Sequence, residues 1–311
     1  MRRFLRELKE LNFLKRNSKY IKVAITVLVI LLFALYVSQN AEEFRRLRSV
    51  SLNTVFQVIL GQSIVILANI LILRAFSEHG REKTALKDAT EIVAYSSLIN
   101  FFGFLQAGVG LRAVYLRKKI GMNYRKYFAL TLYQFTSLFS FSLIAISIGY
   151  FANSITPLNL ITLMMILLSA IIIVCLLIYS SKKVRTLLGA LRNEKKVLVK
   201  ISIFVLLQLV GSYIAYRAEL ASVQANTNLS AMLIFTGISQ FSIVLAITPG
   251  AIGIREGLLY LVAQQMMITG DDIVIAATID RALYCITLAI FAPAAVLARR
   301  KYSVILDNDD Q

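Results

Sequence analysis

Two charged side chains stand within a hydrophobic stretch, next to residues that break a helix. Arg255 and Glu256 follow residues 248–253, which contain a proline and two glycines, and apolar runs lie on both sides at 243–247 and 258–262. Proline removes a backbone donor and glycine turns freely, so these residues predict an interrupted helix. A charge at the centre of a membrane costs about 3 kcal/mol on insertion scales, which makes both residues candidates for function.

A third charged residue, Arg112, follows another interrupted stretch, the glycine-containing residues 103–110. Residues 110–112 align with residues 253–255 at an offset of 143, the difference between positions 112 and 255, and positions 107 and 109 match in the same register. Interrupted segments at corresponding places in two inverted halves indicate a transporter's binding site. We predict that the backbone turns are formed by Gly108, Gly110, Pro249, Gly250 and Gly253.

These residues suit the recognition of a charged lipid headgroup. A guanidinium holds a phosphate through two parallel hydrogen bonds, which predicts that Arg112 and Arg255 each bind one. Helix N-termini after the turns add partial positive charge. Glu256 would neutralise Arg255 in the empty site or pair with a cationic headgroup. Asp280 and Arg281 lie about two turns into the last apolar run, too deep for easy snorkelling, and complete the predicted substrate-binding set.

Structural roles compete with these assignments. Asp280 and Arg281 are also suited to a mutual salt bridge between helices, and Arg112 to a positively charged anchor on the cytoplasmic side. In that case Arg255 and Glu256 would lie in a tight turn among the lipid headgroups. Arg217 and Glu219 are predicted to lie at the membrane interface.

Composition places the chain in a membrane. Of its 311 residues 58% are hydrophobic, and the mean hydropathy is +0.71, which excludes a soluble domain. The net charge of +17 is concentrated between apolar runs, which is typical of cytoplasmic loops beside anionic lipids, so we expect no nucleic-acid partner. Cys175 and Cys285 lie in apolar runs, and His79 is the single histidine. We therefore expect no disulfide, metal, cofactor or catalytic residue.

Apolar length and loop charge together predict the topology. The runs long enough to cross the membrane are residues 23–38, 52–73, 127–151, 158–179, 201–216 and 273–298. Basic residues place the N-terminus, the 112–126 loop, the 181–200 linker and the 299–301 cluster in the cytoplasm. The interrupted segment 92–111 must then enter from the cytoplasm and return. Segment 231–268 enters from outside and returns, or crosses twice.

We therefore predict an all-α integral membrane protein of the plasma membrane, with six transmembrane helices and two re-entrant hairpins in an inverted repeat. Both termini are predicted to be cytoplasmic. Residues 1–20 are predicted to form a basic amphipathic helix on the cytoplasmic leaflet. Residues 21–301 are predicted to form one membrane domain with repeat halves at about 52–151 and 201–298, followed by an acidic cytoplasmic tail at 302–311.

The two motifs resemble signatures of the membrane region of the lysylphosphatidylglycerol synthase/flippase family, which includes the multiple peptide resistance factors and their stand-alone relatives. Residues 100–104 and 108–115 carry the first resemblance, and residues 248–257 the second. Arg281 also stands where the family tends to carry arginine, and the resemblance covers roughly residues 50–300.

The resemblance implies a flippase-like protein that moves a phospholipid or lipid-linked glycan between leaflets. Two-domain members carry an aminoacyl-transferase after the membrane region, whereas this chain ends about ten residues after its last predicted span, so we expect no lipid aminoacylation. Gln106 and Ala107 replace the proline–glycine pair of many relatives, so the first hairpin is expected to bend differently. The alternatives are an accessory subunit of a separate envelope-biosynthesis synthase or transferase and, less favoured, a membrane-embedded lipid-modifying transferase. Membrane lipids with anionic headgroups are the expected partners.

Overall fold

The fold is described from a computed structural model of the chain. The structure describes residues 50–79, 84–102, 106–152, 189, 191, 193–245, 248, 251 and 253–308. The chain divides into two units, residues 1–49 and 50–311, and all described residues belong to the second. Every regular element in the described part is helical, as the long apolar runs predict.

Along the chain, the helices form two successive groups that cover similar numbers of residues. The first group is α1 (Leu52–Phe76), a 3-10 turn (Ser77–His79), α2 (Leu86–Phe102), α3 (Ala107–Ile120) and α4 (Tyr124–Ala152). The second group is α5 (Lys195–Ser222), α6 (Leu229–Val244), α7 (Ile254–Leu261), α8 (Ala263–Met266) and α9 (Gly270–Asn308). Side-chain caps start two of them: Ser51 Oγ accepts from the Thr54 amide at 3.1 Å, and Asn228 Oδ1 from the Ala231 amide at 2.7 Å.

Four helices are long and apolar enough to cross a membrane. They are α1, α4, α5 and the Gly270–Phe291 part of α9, and they coincide with four of the six predicted spans. The spans predicted at 23–38 and 158–179 lie outside the described residues, as does the predicted amphipathic helix at 1–20. Helix α9 continues to Asn308, into the stretch predicted as an acidic tail.

The other helices are interrupted where the sequence predicts breaks. Helix α2 has 17 residues and ends just before the interrupted stretch 103–110, and α6 has 16 residues and ends just before residues 248–257. Each is shorter than the roughly 20 residues that span a bilayer. The helices that follow the breaks, α3 and α7, have 14 and 8 residues. The breaks therefore lie at the ends of short helices packed among long ones.

Close packing of α1 against α5 forms the centre of the bundle. A Cβ atom on Gly61 would lie 2.5 Å from the carbonyl oxygen of Gly211, and one on Gly211 would lie 2.7 Å from the carbonyl oxygen of Gly61. Small residues let membrane helices approach this closely, and dispersion then holds them together. Beside this pair, α4 packs on α6, where the rings of Phe139 and Phe241 are 5.4 Å apart.

The bundle is apolar outside and partly polar inside. Large aliphatic side chains such as Ile144, Ile203 and Ile290 are more than half exposed, which suits contact with lipid tails. Arg112 and Arg255, by contrast, are each 8% exposed. Because charged side chains are almost never buried without partners or function, the interior around these two residues is a candidate site.

Candidate functional site

A cavity of ≈ 240 Å³ lies between both helix breaks and the long helices α1, α4, α5 and α9. Four of the predicted substrate-binding residues line it: Arg112, Arg255, Asp280 and Arg281. The fifth, Glu256, is not among the lining residues but pairs with two that are. Amide side chains are frequent in the lining: Gln62, Asn69, Asn100, Gln106, Gln134, Gln208 and Gln240.

Four of the predicted residues form one chain of ion pairs between α7 and α9. Arg255 Nη1 lies 2.5 Å from Asp280 Oδ2, Arg255 Nε lies 3.6 Å from Glu256 Oε1, and Arg281 Nη2 donates to the same Glu256 oxygen. The alternative of a mutual salt bridge between Asp280 and Arg281 is therefore wrong. Each pairs with the oppositely charged residue of the second motif, because two adjacent charges on α7 face two adjacent charges on α9.

Neutral groups from α1 and α5 hold this ion-pair chain in place. Gln62 Nε2 donates to the side chain and to the backbone carbonyl of Asp280, both at 3.0 Å, while its Oε1 accepts from Thr287 at 2.8 Å. The guanidinium of Arg255 lies over the ring of Tyr216, 5.8 Å from its centre. A cation over an aromatic face is stabilised by the ring quadrupole. The charges are thus fixed in position by side chains that carry no charge.

Gly253 forms the turn that starts α7, as the sequence predicts. Its φ of +81° is a left-handed conformation that side chains with a Cβ rarely adopt. Its amide donates to Glu256 Oε2 at 2.8 Å, so Glu256 caps the helix with one oxygen and binds Arg281 with the other. The other predicted turn residues of this motif, Pro249 and Gly250, lie outside the described residues.

The first break is built differently from the prediction. Gly108 and Gly110 lie inside α3, and the residue with a left-handed backbone is Gln106, at φ +51°. Gln106 Nε2 donates to the carbonyl oxygen of Ile243 at 2.6 Å, near the end of α6. Asn100 Oδ1 accepts from the Gly108 amide at 2.7 Å and caps α3. The first break therefore contacts the end of the helix that leads into the second.

Gly108 is required for close packing instead of for a turn. A Cβ there would lie 2.1 Å from the Ser96 carbonyl oxygen, whereas a Cβ on Gly110 would meet no atom within 4 Å. We expect Gly108→Ala to lower stability by about 1–3 kcal/mol through overpacking, and Gly110→Ala to leave it unchanged or higher. Thermal unfolding of the two purified variants in detergent measures this. Equal unfolding midpoints would show that α2 and α3 do not pack as described.

Arg112 differs from the other two arginines because no carboxylate neutralises it among the described residues. Its Nε donates to Ser96 Oγ at 2.6 Å, and its Nη1 lies 3.4 Å from Asn69 Oδ1. The ion pairs of the described chain do not include it. Arg112 lies in α3 and is 8% exposed, so it is a buried cavity residue and not part of a solvated basic loop.

Glu219, predicted to lie at the membrane interface, is buried inside the protein near the C-terminal end of α5. Glu219 is 1% exposed, its Oε1 has no hydrogen-bond partner among the described residues, and electrostatic interactions link it to Asp280 and Arg255. The sequence carries a signal for this burial. Gln208, Ser212 and Glu219 are four and then seven residues apart, which places them on one face of α5. The neutral residues of that face are also cavity residues that the sequence prediction missed.

Comparison with known proteins identifies the family. No match was found among the curated proteins or the solved structures. The family model described as the lysylphosphatidylglycerol synthase TM region matches residues 20–292, which include both helix breaks and the cavity. The predicted resemblance is confirmed, and the chain belongs to the family of the lysylphosphatidylglycerol synthase transmembrane region.

Proposed function

We propose that this chain moves a polar or modified lipid between the two leaflets of the plasma membrane. The observation that carries the proposal is Arg112, a buried guanidinium that lines the cavity without a carboxylate partner among the described residues. A buried charge without a counter-charge is costly, so the site is expected to be completed by an anion. The phosphate of a lipid is an anion that the membrane supplies.

The second motif supports the same ligand. The Nε atoms of Arg255 and Arg281 are buried and have no hydrogen-bond partner among the described residues, although both guanidinium groups are held by carboxylates. We assign these unpaired donors to phosphate oxygens, because arginine suits phosphate better than lysine does. The charges of this pair of arginines are already balanced, so we propose that they orient the phosphate and that Arg112 supplies most of the attraction.

The dimensions of the cavity favour a headgroup as its occupant. Its ≈ 240 Å³ is below the roughly 300–1,000 Å³ of sites that enclose a drug-sized ligand. Acyl chains would therefore stay in the bilayer, beside the apolar outer faces of the helices. We propose that this lipid movement involves no catalysis and no cofactor. The proposed partners of the protein are membrane lipids and, in addition, a separate synthase or transferase.

The helix bounds support an internal repeat. Adding the offset of 143 residues to the bounds of α1, α2, α3 and α4 gives 195–219, 229–245, 250–263 and 267–295. These ranges match α5, α6, α7 with α8, and the membrane part of α9. We propose that the halves have opposite orientations, with both termini cytoplasmic, so that the two breaks are reached from opposite faces.

Cysteine labelling tests this topology. On a background with Cys175 and Cys285 replaced, an impermeant thiol reagent applied outside intact cells is expected to label cysteines at exposed Gln224 and Asp271. Cysteines at exposed Ala85 and Lys118 should be labelled only after permeabilisation. Gln224 is a better probe than the neighbouring Asn226, because the Asn226 side chain donates a hydrogen bond to the Met266 carbonyl oxygen at 2.9 Å. Labelling of positions 85 and 118 on opposite sides would make the first interrupted segment a full span and exclude the inverted repeat.

Reconstitution tests the function itself. Purified protein in liposomes is expected to move fluorescent phospholipid from the inner to the outer leaflet, measured by chemical quenching of the exposed label. Protein-free liposomes and liposomes with heat-denatured protein are the controls. Movement that requires a second purified protein would instead favour an accessory subunit. Chemical conversion of the lipid would favour a transferase, and no movement under either condition would overturn the proposal.

A further inference from the structure

Glu219 is a buried carboxyl group that contacts the lining of the cavity without being part of it. It lies near the end of α5, is 1% exposed and is not among the lining residues. A side-chain hydrogen bond and an electrostatic interaction link it to Asp280, and a further electrostatic interaction links it to Arg255. Its Oε1 atom has no hydrogen-bond partner among the described residues. Glu219 therefore acts on the cavity through two residues that line it.

The hydrogen bond between the carboxyl groups of Glu219 and Asp280 requires a proton. An ionised carboxylate only accepts hydrogen bonds, so two carboxyl groups can share one only while either of them is protonated. Two ionised carboxylates side by side would repel each other, and such a pair titrates as one coupled unit. Glu219 and Asp280 together therefore form a site for one proton.

The charges around the cavity give this proton a role. Among the described residues, three arginines and three carboxyl groups belong to the cavity or to its ion pairs: Arg112, Arg255, Arg281, Glu219, Glu256 and Asp280. Their charges cancel when all three carboxyl groups are ionised. A bound phosphodiester then adds one uncompensated negative charge to a buried site, which is costly. One proton on the carboxyl pair makes the occupied site neutral again.

The other ionisable groups near the pair do not supply this proton. Helices α6 and α8 contain no ionisable residue. Arg74 of α1 lies at the opposite end of α5, because the neighbouring Glu78 pairs with Lys200 near the start of that helix. The charged residues of α7 and α9 around the pair are members of the ion-pair chain. Four groups remain, phenols and a thiol that are neutral at about pH 7 in model peptides: Tyr150, Tyr216, Tyr284 and Cys285.

The carboxyl pair is confined to the second half of the repeat. At the offset of 143 residues, the arginines of the two breaks correspond to each other. The positions that correspond to Glu219 and Asp280 are Phe76 and Ser137, which carry no charge. The shared arrangement of helices therefore forms without carboxyl groups at these places. The pair is an addition to one half, where it sits beside Arg255.

We propose that Glu219 and Asp280 take up one proton from water when the lipid phosphate binds and return it to water when the lipid leaves. This rests on the proposed function, because it assumes that the cavity binds a phosphate. A proton on the pair weakens the attraction of Asp280 for Arg255, so that the guanidinium charge acts on the phosphate instead. Lipid and proton then strengthen each other's binding by the same factor.

Titration calorimetry of the purified protein tests the proton uptake. The probe is dihexanoyl phosphatidylmethanol, a phosphodiester whose single negative charge does not change near neutral pH. Titrations in two buffers with different ionisation enthalpies measure the protons taken up, which should approach about one per bound lipid. Binding should be about tenfold tighter at about pH 6 than at about pH 8. Equal heats in both buffers, or an affinity independent of pH, would overturn the proposal.

Two variants locate the proton. Glu219→Gln removes the carboxyl group and keeps its shape, so the lipid should bind without proton uptake and with the same affinity at both pH values. His79 is the single histidine of the chain and lies in the 3-10 turn after α1. Histidine is the side chain that ordinarily titrates in this range, so His79→Gln is the control and should retain both effects. Proton uptake that survives Glu219→Gln, or that is lost in His79→Gln, would overturn the assignment.

The calorimetry also separates this inference from the proposed function. Lipid that binds equally at both pH values and without proton uptake, but in a manner that depends on Arg112, would leave the phosphate site in place and exclude the proton site. Absence of binding at either pH would exclude both. The measurements on the unaltered protein decide between these results if Glu219→Gln does not fold.

Discussion

Replacement of Arg112 by glutamine is expected to abolish measurable lipid movement in reconstituted liposomes without unfolding the protein. Loss of one partner of a buried charged contact costs about 2–5 kcal/mol, which corresponds to a decrease of about 30-fold or more. The amide nitrogen of a glutamine can take the place of Nε in the hydrogen bond to Ser96 Oγ, whereas this shorter side chain does not reach Asn69. The empty protein also loses an uncompensated buried charge, so its thermal unfolding midpoint is expected to stay or to rise.

Two further variants make the Arg112 experiment specific. Arg112→Lys keeps the charge but loses the planar fork, so lipid movement should be far below that of the unaltered protein. Arg117 lies on the same helix with an exposed side chain that contacts the ring of Tyr124, so Arg117→Gln should leave lipid movement near normal. Normal lipid movement by Arg112→Gln, or an equal loss of lipid movement in Arg117→Gln, would show that Arg112 contributes only general positive charge and no specific phosphate site.

The predictable part of this site is its charge and its burial in the protein. Arg255 and Glu256 could be assigned to the interior because a helix breaker and two apolar runs surround them. Their partners were harder to predict. Asp280 and Arg281 are adjacent in the sequence and opposite in charge, which suggests that they pair with each other. The packing of α7 against α9 instead pairs Asp280 with Arg255 and Arg281 with Glu256. Pairing between segments 25 residues apart is a tertiary property that local sequence does not specify.

The first break shows a second limit of local reasoning. Glycine was expected to form the turn because glycine adopts a left-handed backbone without strain. The structure uses Gln106 there, and a hydrogen bond from its side chain to Ile243 holds the conformation. That partner lies 137 residues away, so the sequence around Gln106 gives no sign of it. Gly108 is explained by its close approach to the Ser96 carbonyl oxygen. This contact depends on the packing of α2 against α3, so the local sequence does not predict it.

Asp280 offers the second large expected effect. Asp280→Leu is expected to destabilise the protein by about 3–5 kcal/mol, because among the described residues Glu256, at the longer distance, then remains as the carboxylate partner of the buried Arg255 guanidinium. It also removes the side-chain acceptor of Gln62. The loss should appear as a lower thermal unfolding midpoint of purified protein. Asp271→Leu, at an exposed position in the first turn of the same helix, is the matched control and should change the midpoint little.

The double variant Arg255→Met/Asp280→Leu separates stability from function. Replacement of both members of a buried ion pair by apolar residues of similar size is often neutral for stability or even stabilising, so the double variant is expected to regain most of the lost unfolding midpoint. Lipid movement should not return, because Arg255 lines the cavity and its Nε is a donor that we assign to the phosphate. A double variant that recovers both stability and lipid movement would show that this ion pair holds α7 to α9 and does nothing more, and the binding of phosphate would then rest on Arg112 and Arg281.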